Sequence, residues 1–257
     1  MLIESFRHKK EDLLLWKELE EMDKIIYLDN KNKMEERESN AIDEIRQFAN
    51  KGKFYVGVSW GKDSVIVAHL AQRARLFADK SKVVIHRRKK YHVMPLVWIK
   101  VNPIYNPDCI SVEKVFLSKY LPTYERVEVE CKIDENGAHA KNTLEQGAKE
   151  AAIKYSKRYI SGINRNESGM RNLSRIVHGV STENCCRPII DWPEEIIFAY
   201  LVHYDLPIHP AYAMFGNGRW ERIKIRVASI GCKTGDGYGR LAWEKEYYPD
   251  IINKYIR

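Results

Sequence analysis

One stretch of this chain restricts its fold more than any other. The run Lys53-Phe54-Tyr55-Val56-Gly57-Val58 is apolar and partly β-branched, so it reads as a buried strand. It feeds directly into Ser59-Trp60-Gly61-Lys62-Asp63-Ser64, and a helical pattern follows to about residue 78. A short glycine turn between strand and helix aims successive backbone N–H groups at one point. The helix N-terminus adds partial positive charge there, and the two together make a phosphate cradle. The spacing excludes a Walker loop, which needs four residues between its first Gly and Gly-Lys. It also excludes the three spaced glycines of the dinucleotide fingerprint.

The segment resembles instead the Ser-Gly-Gly-Lys-Asp-Ser loop of the pyrophosphate-loop (PP-loop) ATP pyrophosphatases. Trp60 stands where that family has its first Gly. Tryptophan does not reach positive φ cheaply. Two readings follow: a less strained backbone, or an indole that walls the site.

From residue 53 onward strands and helices alternate. Strands are expected at 53–59, 93–101, 126–131 and 159–163, with helices at 63–78, 112–120 and 142–156. That order predicts an α/β fold with a doubly wound parallel sheet. The site then lies beyond the carboxyl ends of the strands. We divide the chain into an N-terminal helical extension at 1–50, a nucleotide-binding domain at 51–210 and an irregular, basic C-terminal extension at 211–257. In the extension, Leu13, Leu14, Leu15, Trp16, Leu19, Met22, Ile25 and Ile26 supply one apolar helix face.

The net charge of +8 is unevenly placed. Residues 1–50 are net acidic, so the remainder is strongly basic and suits anionic ligands. Lys80, Lys82, Arg87, Arg88, Lys89, Lys90 and Lys100 fall in a span without acids, and Arg219, Arg222, Lys224, Arg226 and Lys233 form a second basic stretch. A nucleic-acid contact and a solvated loop are equal readings of Arg87–Lys90. The start of the chain lacks an apolar signal core, and no apolar run approaches membrane-spanning length. The expectation is a cytoplasmic protein without a membrane partner. Five cysteines at irregular spacing argue against a disulfide framework.

Lys62 would neutralise phosphate oxygens. Asp63 and Ser64 sit at the helix start, where capping N–H groups and holding Mg²⁺ are compatible roles. Asn102 opens an irregular loop, Asn102-Pro103-Ile104-Tyr105-Asn106-Pro107-Asp108. Gly162 ends a strand, and Arg165 and Arg171 offer planar forks for sulfate or phosphate. His203 and His209 lack a zinc spacing and read as helix-end or turn residues. Asp191-Trp192-Pro193-Glu194-Glu195 reads as a helix start with a capping acid. Trp192 and Trp220 read as core.

The chain as a whole resembles the phosphoadenosine-phosphosulfate (PAPS) reductase family of PP-loop enzymes. The carriers are Ser59–Ser64, Ser161-Gly162-Ile163-x-Arg165-x-Glu167-Ser168-x-x-Arg171, Arg187-Pro188-Ile189-Ile190-Asp191-Trp192, Leu206–Tyr212 and Ser229-Ile230-Gly231-Cys232. The resemblance implies binding of ATP with Mg²⁺ and cleavage to AMP and pyrophosphate. The implied catalytic set is Lys62, Asp63, Arg165 and Arg171. The implied nucleotide-binding set is Ser59, Trp60, Gly61, Lys62, Asp63, Ser64, Asn102, Gly162 and Glu167. Asn164 stands where the family usually places an Arg, and no cysteine follows Cys232, so the reductase tail is missing. Cys185, Cys186 and Cys232 make three thiolates where a 4Fe–4S cluster takes four, so a cluster is not the favoured reading. Arg187 beside the Cys185–Cys186 pair is a cation that would lower a thiol pKa, and reactive and inert readings stand level. Activation of an oxyanion for sulfur transfer, as in DNA phosphorothioation, is the expected activity, with a sulfur-donor protein as partner. A sulfonucleotide reductase and a non-catalytic nucleotide- or nucleic-acid-binding subunit are the alternatives.

Overall fold

A computed structural model describes residues 1–82, 95–120, 122–134, 137–231 and 240–255. The Arg87–Lys90 run, Cys232 and Lys233 lie outside the described residues. Two helices come first, α1 (Lys10–Asp29) and α2 (Lys31–Asn50). Then follow β1 (Tyr55–Val58), α3 (Lys62–Lys82), β2 (Leu96–Asn102), α4 (Cys109–Tyr120) and β3 (Tyr124–Glu130). A two-residue hairpin, β4 (Ile133–Asp134) and β5 (Gly137–Ala138), leads to α5 (Ala140–Lys154) and β6 (Tyr159–Ile160). The chain continues through α6 (Gly169–His178), β7 (Cys185–Cys186), α7 (Glu194–His203), α8 (Arg240–Tyr247) and α9 (Pro249–Tyr255).

The main sheet has the order β3-β2-β1-β6-β7, and every pairing is parallel. This is the doubly wound α/β arrangement expected from the alternation. The order reverses between β1 and β6, which opens a crevice at their carboxyl ends. The loop after β1 and the loop after β6 flank that crevice, so topology alone brings Ser59–Ser64 next to Ser161–Gly162. Strand β7 was not legible in the sequence. It holds two residues, and the edge pairing Tyr159 with Cys185 and Ile160 with Cys186 is all that defines it.

The N-terminal helices do not form a separate body. Trp16, Tyr27, Met34, Ile45 and Phe48 join one apolar core with Ile66, Phe198, Trp243 and Tyr248. The buried face of α1 matches the expected one in part: Leu15, Trp16, Leu19 and Ile26 pack on the core, but Leu14, Met22 and Ile25 are exposed, and Asp12, Asp23 and Tyr27 are buried instead. Polar anchors choose that face. Asp12 accepts from the Phe215 N–H at 3.0 Å and from the Tyr247 hydroxyl at 2.8 Å. Asp23 accepts both arms of Arg222 at 2.6 and 2.7 Å. A paired buried charge costs far less than an unpaired one, so these bonds fix the rotation of the helix.

The same pairs account for much of the second basic stretch. Arg219 pairs with Glu246, Arg222 with Asp23, and Lys224 with Glu221. Of its described members, Arg226 reaches the crevice.

Two buried histidines make the fold acid-sensitive. His69 shares a proton with the Tyr200 hydroxyl at 2.8 Å, and His209 Nδ1 accepts from the Ala211 N–H at 3.1 Å. Burial pushes each imidazole down to about 3 from an ordinary 6.5. The unfolded chain therefore binds more protons than the folded one between those values. Stability is fully present above pH 6.5 and falls as pH drops through that window, by up to about 1.4 kcal/mol per pH unit for each histidine. Replacing His209 with Asn, which keeps an acceptor, is expected to flatten the slope of urea-unfolding free energy between pH 6 and 4 by about 1 kcal/mol per unit.

Candidate active site

The loop at residues 59–61 closes on itself before the helix begins. The Ser59 N–H donates to Ser64 Oγ at 3.2 Å, and Ser64 Oγ donates to the Gly61 carbonyl at 3.0 Å. The Val65 N–H returns to the same carbonyl at 3.0 Å and starts the helical ladder. Ser64 is thus an internal brace of the turn. The first N–H groups of α3 have no acceptor within their own helix. One of them, on Lys62, is taken by the Tyr212 hydroxyl at 3.0 Å.

Trp60 keeps the left-handed backbone, with φ of 62°. Both sequence expectations for it are corrected. The backbone is not relaxed, and the indole does not line the crevice. It is fully buried behind the loop against Phe116 and Tyr124, with ring centroids at 5.8 and 5.6 Å. Left-handed φ costs a non-glycine residue roughly 1–2 kcal/mol. Burying an indole returns more than that, so the tryptophan is tolerated where glycine is the easy choice.

The crevice encloses about 470 Å³. Its polar end is formed by Ser59, Gly61, Asp63, Ser64, Ser161, Gly162, Glu167, Arg171 and Arg226. Its other end runs along the sheet under α5, between Tyr55, Val97, Ile99, Leu144, Ala148 and Tyr159. Tyr212, Ile225 and Val227 close one side. The C-terminal segment is therefore part of the site and not an appendage to it.

Lys62 is almost fully buried and is not itself among the residues that line the crevice. Its ammonium donates to Asp63 Oδ2 at 2.6 Å and to Glu167 Oε1 at 3.1 Å. Burial is the largest single influence and works against its charge, but the Asp63 carboxylate and the Tyr212 hydroxyl together outweigh it and hold the ammonium above its ordinary pKa. Arg171 pairs with the other oxygen of Glu167. Arg226 donates to the Glu167 carbonyl at 3.2 Å. Burial first, and then the nearby Arg226, pull the Arg171 guanidinium below its ordinary value. It stays charged at neutral pH. Arg171 and Arg226 thus face the crevice from two segments, and Lys62 is held by Asp63 and Glu167, both of which line it. Asp63 Oδ1 is buried and has no hydrogen-bond partner among the described residues.

Gly162 brings the end of β6 against the loop. A Cβ placed there would lie 2.6 Å from the Asp63 carbonyl carbon, 2.7 Å from its oxygen and 2.8 Å from the Ser64 nitrogen. These are backbone atoms, so the approach is open to glycine alone.

Two expected site residues stand elsewhere. Arg165 is turned to Asp191 at 3.1 Å, outside the crevice. Asn102 donates to Glu128 at 3.0 Å and Glu130 at 3.1 Å, tying β2 to β3. Asp191 was expected to cap α7, yet it receives Arg175 at 2.6 and 2.8 Å, while Pro193 holds the cap position without a side-chain bond. Asn164 is buried, accepts from the Asn166 N–H at 2.9 Å and donates to the Trp192 carbonyl at 2.8 Å. It braces the turn that presents Glu167. His203 stacks on Tyr27 at 3.5 Å, and Trp192 is core, as read. Sequence reasoning missed Tyr212 and Arg226 as site residues. Tyr212 lay inside one of the resembling segments, which was the available signal.

Cys185 and Cys186 are not arranged as activated thiols. Neighbours on a strand face opposite sides of a sheet, and Cys185 and Cys186 do so in β7. Burial pushes both thiols up, Cys186 to about 12, and exceeds the opposing effect of Arg187.

No family model matches the chain. A PAPS reductase from Xylella fastidiosa strain M12 is 33% identical over 72 residues, which is 28% of this chain and 27% of that protein. The PAPS reductase of strain M23 is 29% identical over a stretch of the same length and coverage. Over that stretch the chain is similar to PAPS reductases. The match spans about a quarter of the length of those relatives. A PAPS reductase from Candida auris, solved as a phosphate complex, aligns with 65% of this chain and 81% of that chain, at 12% identity and a TM-score of 0.43.

The Tyr212 contact gives a direct test of loop geometry. Tyr212 is fully buried, and its hydroxyl is pushed up to about 12 by burial. Tyr212→Phe leaves the Lys62 N–H without its acceptor. A destabilisation of about 1–3 kcal/mol is expected in chemical unfolding.

Proposed function

We propose that this chain binds ATP in the crevice and cleaves it at the α-phosphate, releasing pyrophosphate and activating an oxyanion as its adenylate. The observation that carries this reading is the placement of Arg171 and Arg226 around the crevice at the N-terminus of α3, with Lys62 bonded to its lining carboxylates Asp63 and Glu167, at the point where the strand order reverses. An oxyanion attacking the α-phosphorus forms one P–O bond while the bond to the β-phosphate oxygen breaks. Negative charge then builds on the leaving pyrophosphate. Fixed cations and N–H groups placed at that charge are the largest contribution a site of this kind makes. The apolar end of the crevice offers a slot for a planar base.

The residues present fit a magnesium ion of the usual nucleotide kind. Asp63 Oδ1 is a buried carboxylate oxygen with no hydrogen-bond partner among the described residues. Mg²⁺ takes one or two carboxylates plus substrate phosphates and water, and it would neutralise charge on the phosphates. Asp63 would hold it while Lys62 orients the same phosphates.

The assay is release of pyrophosphate from ATP by the purified chain, with and without an added oxyanion acceptor. Release of sulfite from a sulfonucleotide would support the second reading, a reductase, which the relatives' activity favours. Neither product would leave a binding role alone. DNA phosphorothioation and a sulfur-donor protein are extensions by analogy, and they follow only if pyrophosphate release depends on such an acceptor.

A further inference from the structure

We propose that Glu167 is a built-in competitor for the anion site, positioned to expel the leaving pyrophosphate. The inference rests on reading the crevice as a polyphosphate site. Its basis is that the cations there are turned to one residue. Lys62 Nζ reaches Glu167 Oε1 at 3.1 Å, Arg171 pairs with the other carboxylate oxygen, and Arg226 donates to the Glu167 carbonyl at 3.2 Å. The carboxylate therefore bridges a cation from α3 and one from α6. A phosphate neutralised by both cations has to occupy the same place.

The two carboxylates of the site differ in how they are held. Asp63 belongs to the first turn of α3, next to Lys62 in sequence, and holds its ammonium at 2.6 Å on a short side chain. Glu167 ends a three-residue turn, Arg165–Glu167, braced from behind by Asn164. Its side chain can swing away by rotamer change without breaking a helix. A doubly or triply charged phosphate gains more from two cations than a single carboxylate does, so ATP displaces Glu167. Displaced, the carboxylate stands next to the anion that replaced it, and like charges repel. When the α–β bond is cut, pyrophosphate is held only by the site, and Glu167 returns to the cations it vacated. A group that competes with the bound anion weakens product binding and speeds release, a step that often limits turnover.

The test measures binding of metal-free inorganic pyrophosphate by calorimetry to wild type, Glu167→Gln and Glu167→Asp, with unfolding curves to confirm that each variant is folded. Metal-free ligand removes any contribution of a magnesium contact. Glu167→Gln is expected to bind about ten-fold tighter, the effect of one like charge removed. Glu167→Asp keeps the charge but shortens its reach, and an intermediate gain is expected. A brace for Lys62 and Arg171 would do the opposite, since its loss misplaces both cations. Wild-type binding with equal or weaker binding by Glu167→Gln would overturn the proposal while leaving the phosphate site standing. Absence of binding by all three proteins would remove the polyphosphate reading itself, and the proposal with it.

Discussion

Lys62→Ala is expected to lose both pyrophosphate release and a large part of the stability of the fold. The sequence suggests a lysine at an exposed loop tip, whose removal would leave the fold intact. The structure buries it, 3% exposed, with its ammonium bonded to Asp63 and Glu167. Truncation leaves the Asp63 carboxylate without its cation and takes one of two cations from Glu167. Removing one partner of a buried ion pair costs about 3–5 kcal/mol, mostly through the charge left behind. That cost is expected in urea unfolding at pH 7. Removing Glu167 as well should restore part of it, because the like charge near Asp63 then disappears. Pyrophosphate release should remain absent in both proteins. Wild-type turnover in Lys62→Ala would remove the lysine from the chemistry. Wild-type stability would mean that the ammonium is not held as the structure has it.

The readable part of this protein was the part specified by local pattern. Lys53–Val58 has strand character over enough residues to be seen, and the glycine turn and helix follow within one short segment. The parallel sheet then followed from the alternation, and the place of the site from the sheet. Strand β7 has two residues, so no period exists to be read. Helix α6 was missed for another reason. Its basic face carries Arg171 into the crevice and Arg175 to Asp191, while Met170, Leu173 and Ile176 are exposed. An amphipathic pattern predicts burial of the apolar face, and here the polar face is the attached one. The rotation of α1 was hidden similarly, because Asp12 and Asp23 are buried by partners some 200 residues away.

The site itself was half legible. Lys62, Asp63, Ser64, Gly162, Glu167 and Arg171 lie in two short sequence segments that the strand order brings together. Arg165 and Asn102 have the same residue chemistry but face away, to Asp191 and to Glu128. Side-chain direction at a loop depends on which partner is near, and no spacing rule encodes that. Arg226 and Tyr212 come from a segment with little regular structure, so only long-range packing places them.

Gly162→Ala should be the most damaging of the small changes. It adds one methyl group in a position where three backbone atoms of the phosphate loop lie within 2.8 Å. Contacts that short cannot be relieved by a side-chain rotation, since the Asp63 carbonyl and the Ser64 nitrogen belong to the first turn of α3. Either β6 moves away from β1, or the helix start moves away from Gly162. The first weakens a short sheet pairing that has only Tyr55–Tyr159 and Val56–Ile160 to hold it. The second displaces Lys62 from its carboxylates and turns the loop N–H groups off their common point. Overpacking of this kind costs about 1–3 kcal/mol in stability. Its effect on ligand binding should be greater, because misplacing aligned groups by about 1 Å can cost a factor of about 100. We therefore expect a modest loss in urea unfolding together with a loss of about 100-fold in pyrophosphate affinity by calorimetry. Gly169→Ala is the matched control, as its Cβ would meet nothing within 4 Å. Equal effects at the two glycines would show that the close approach of β6 to the loop does not set the geometry of the site.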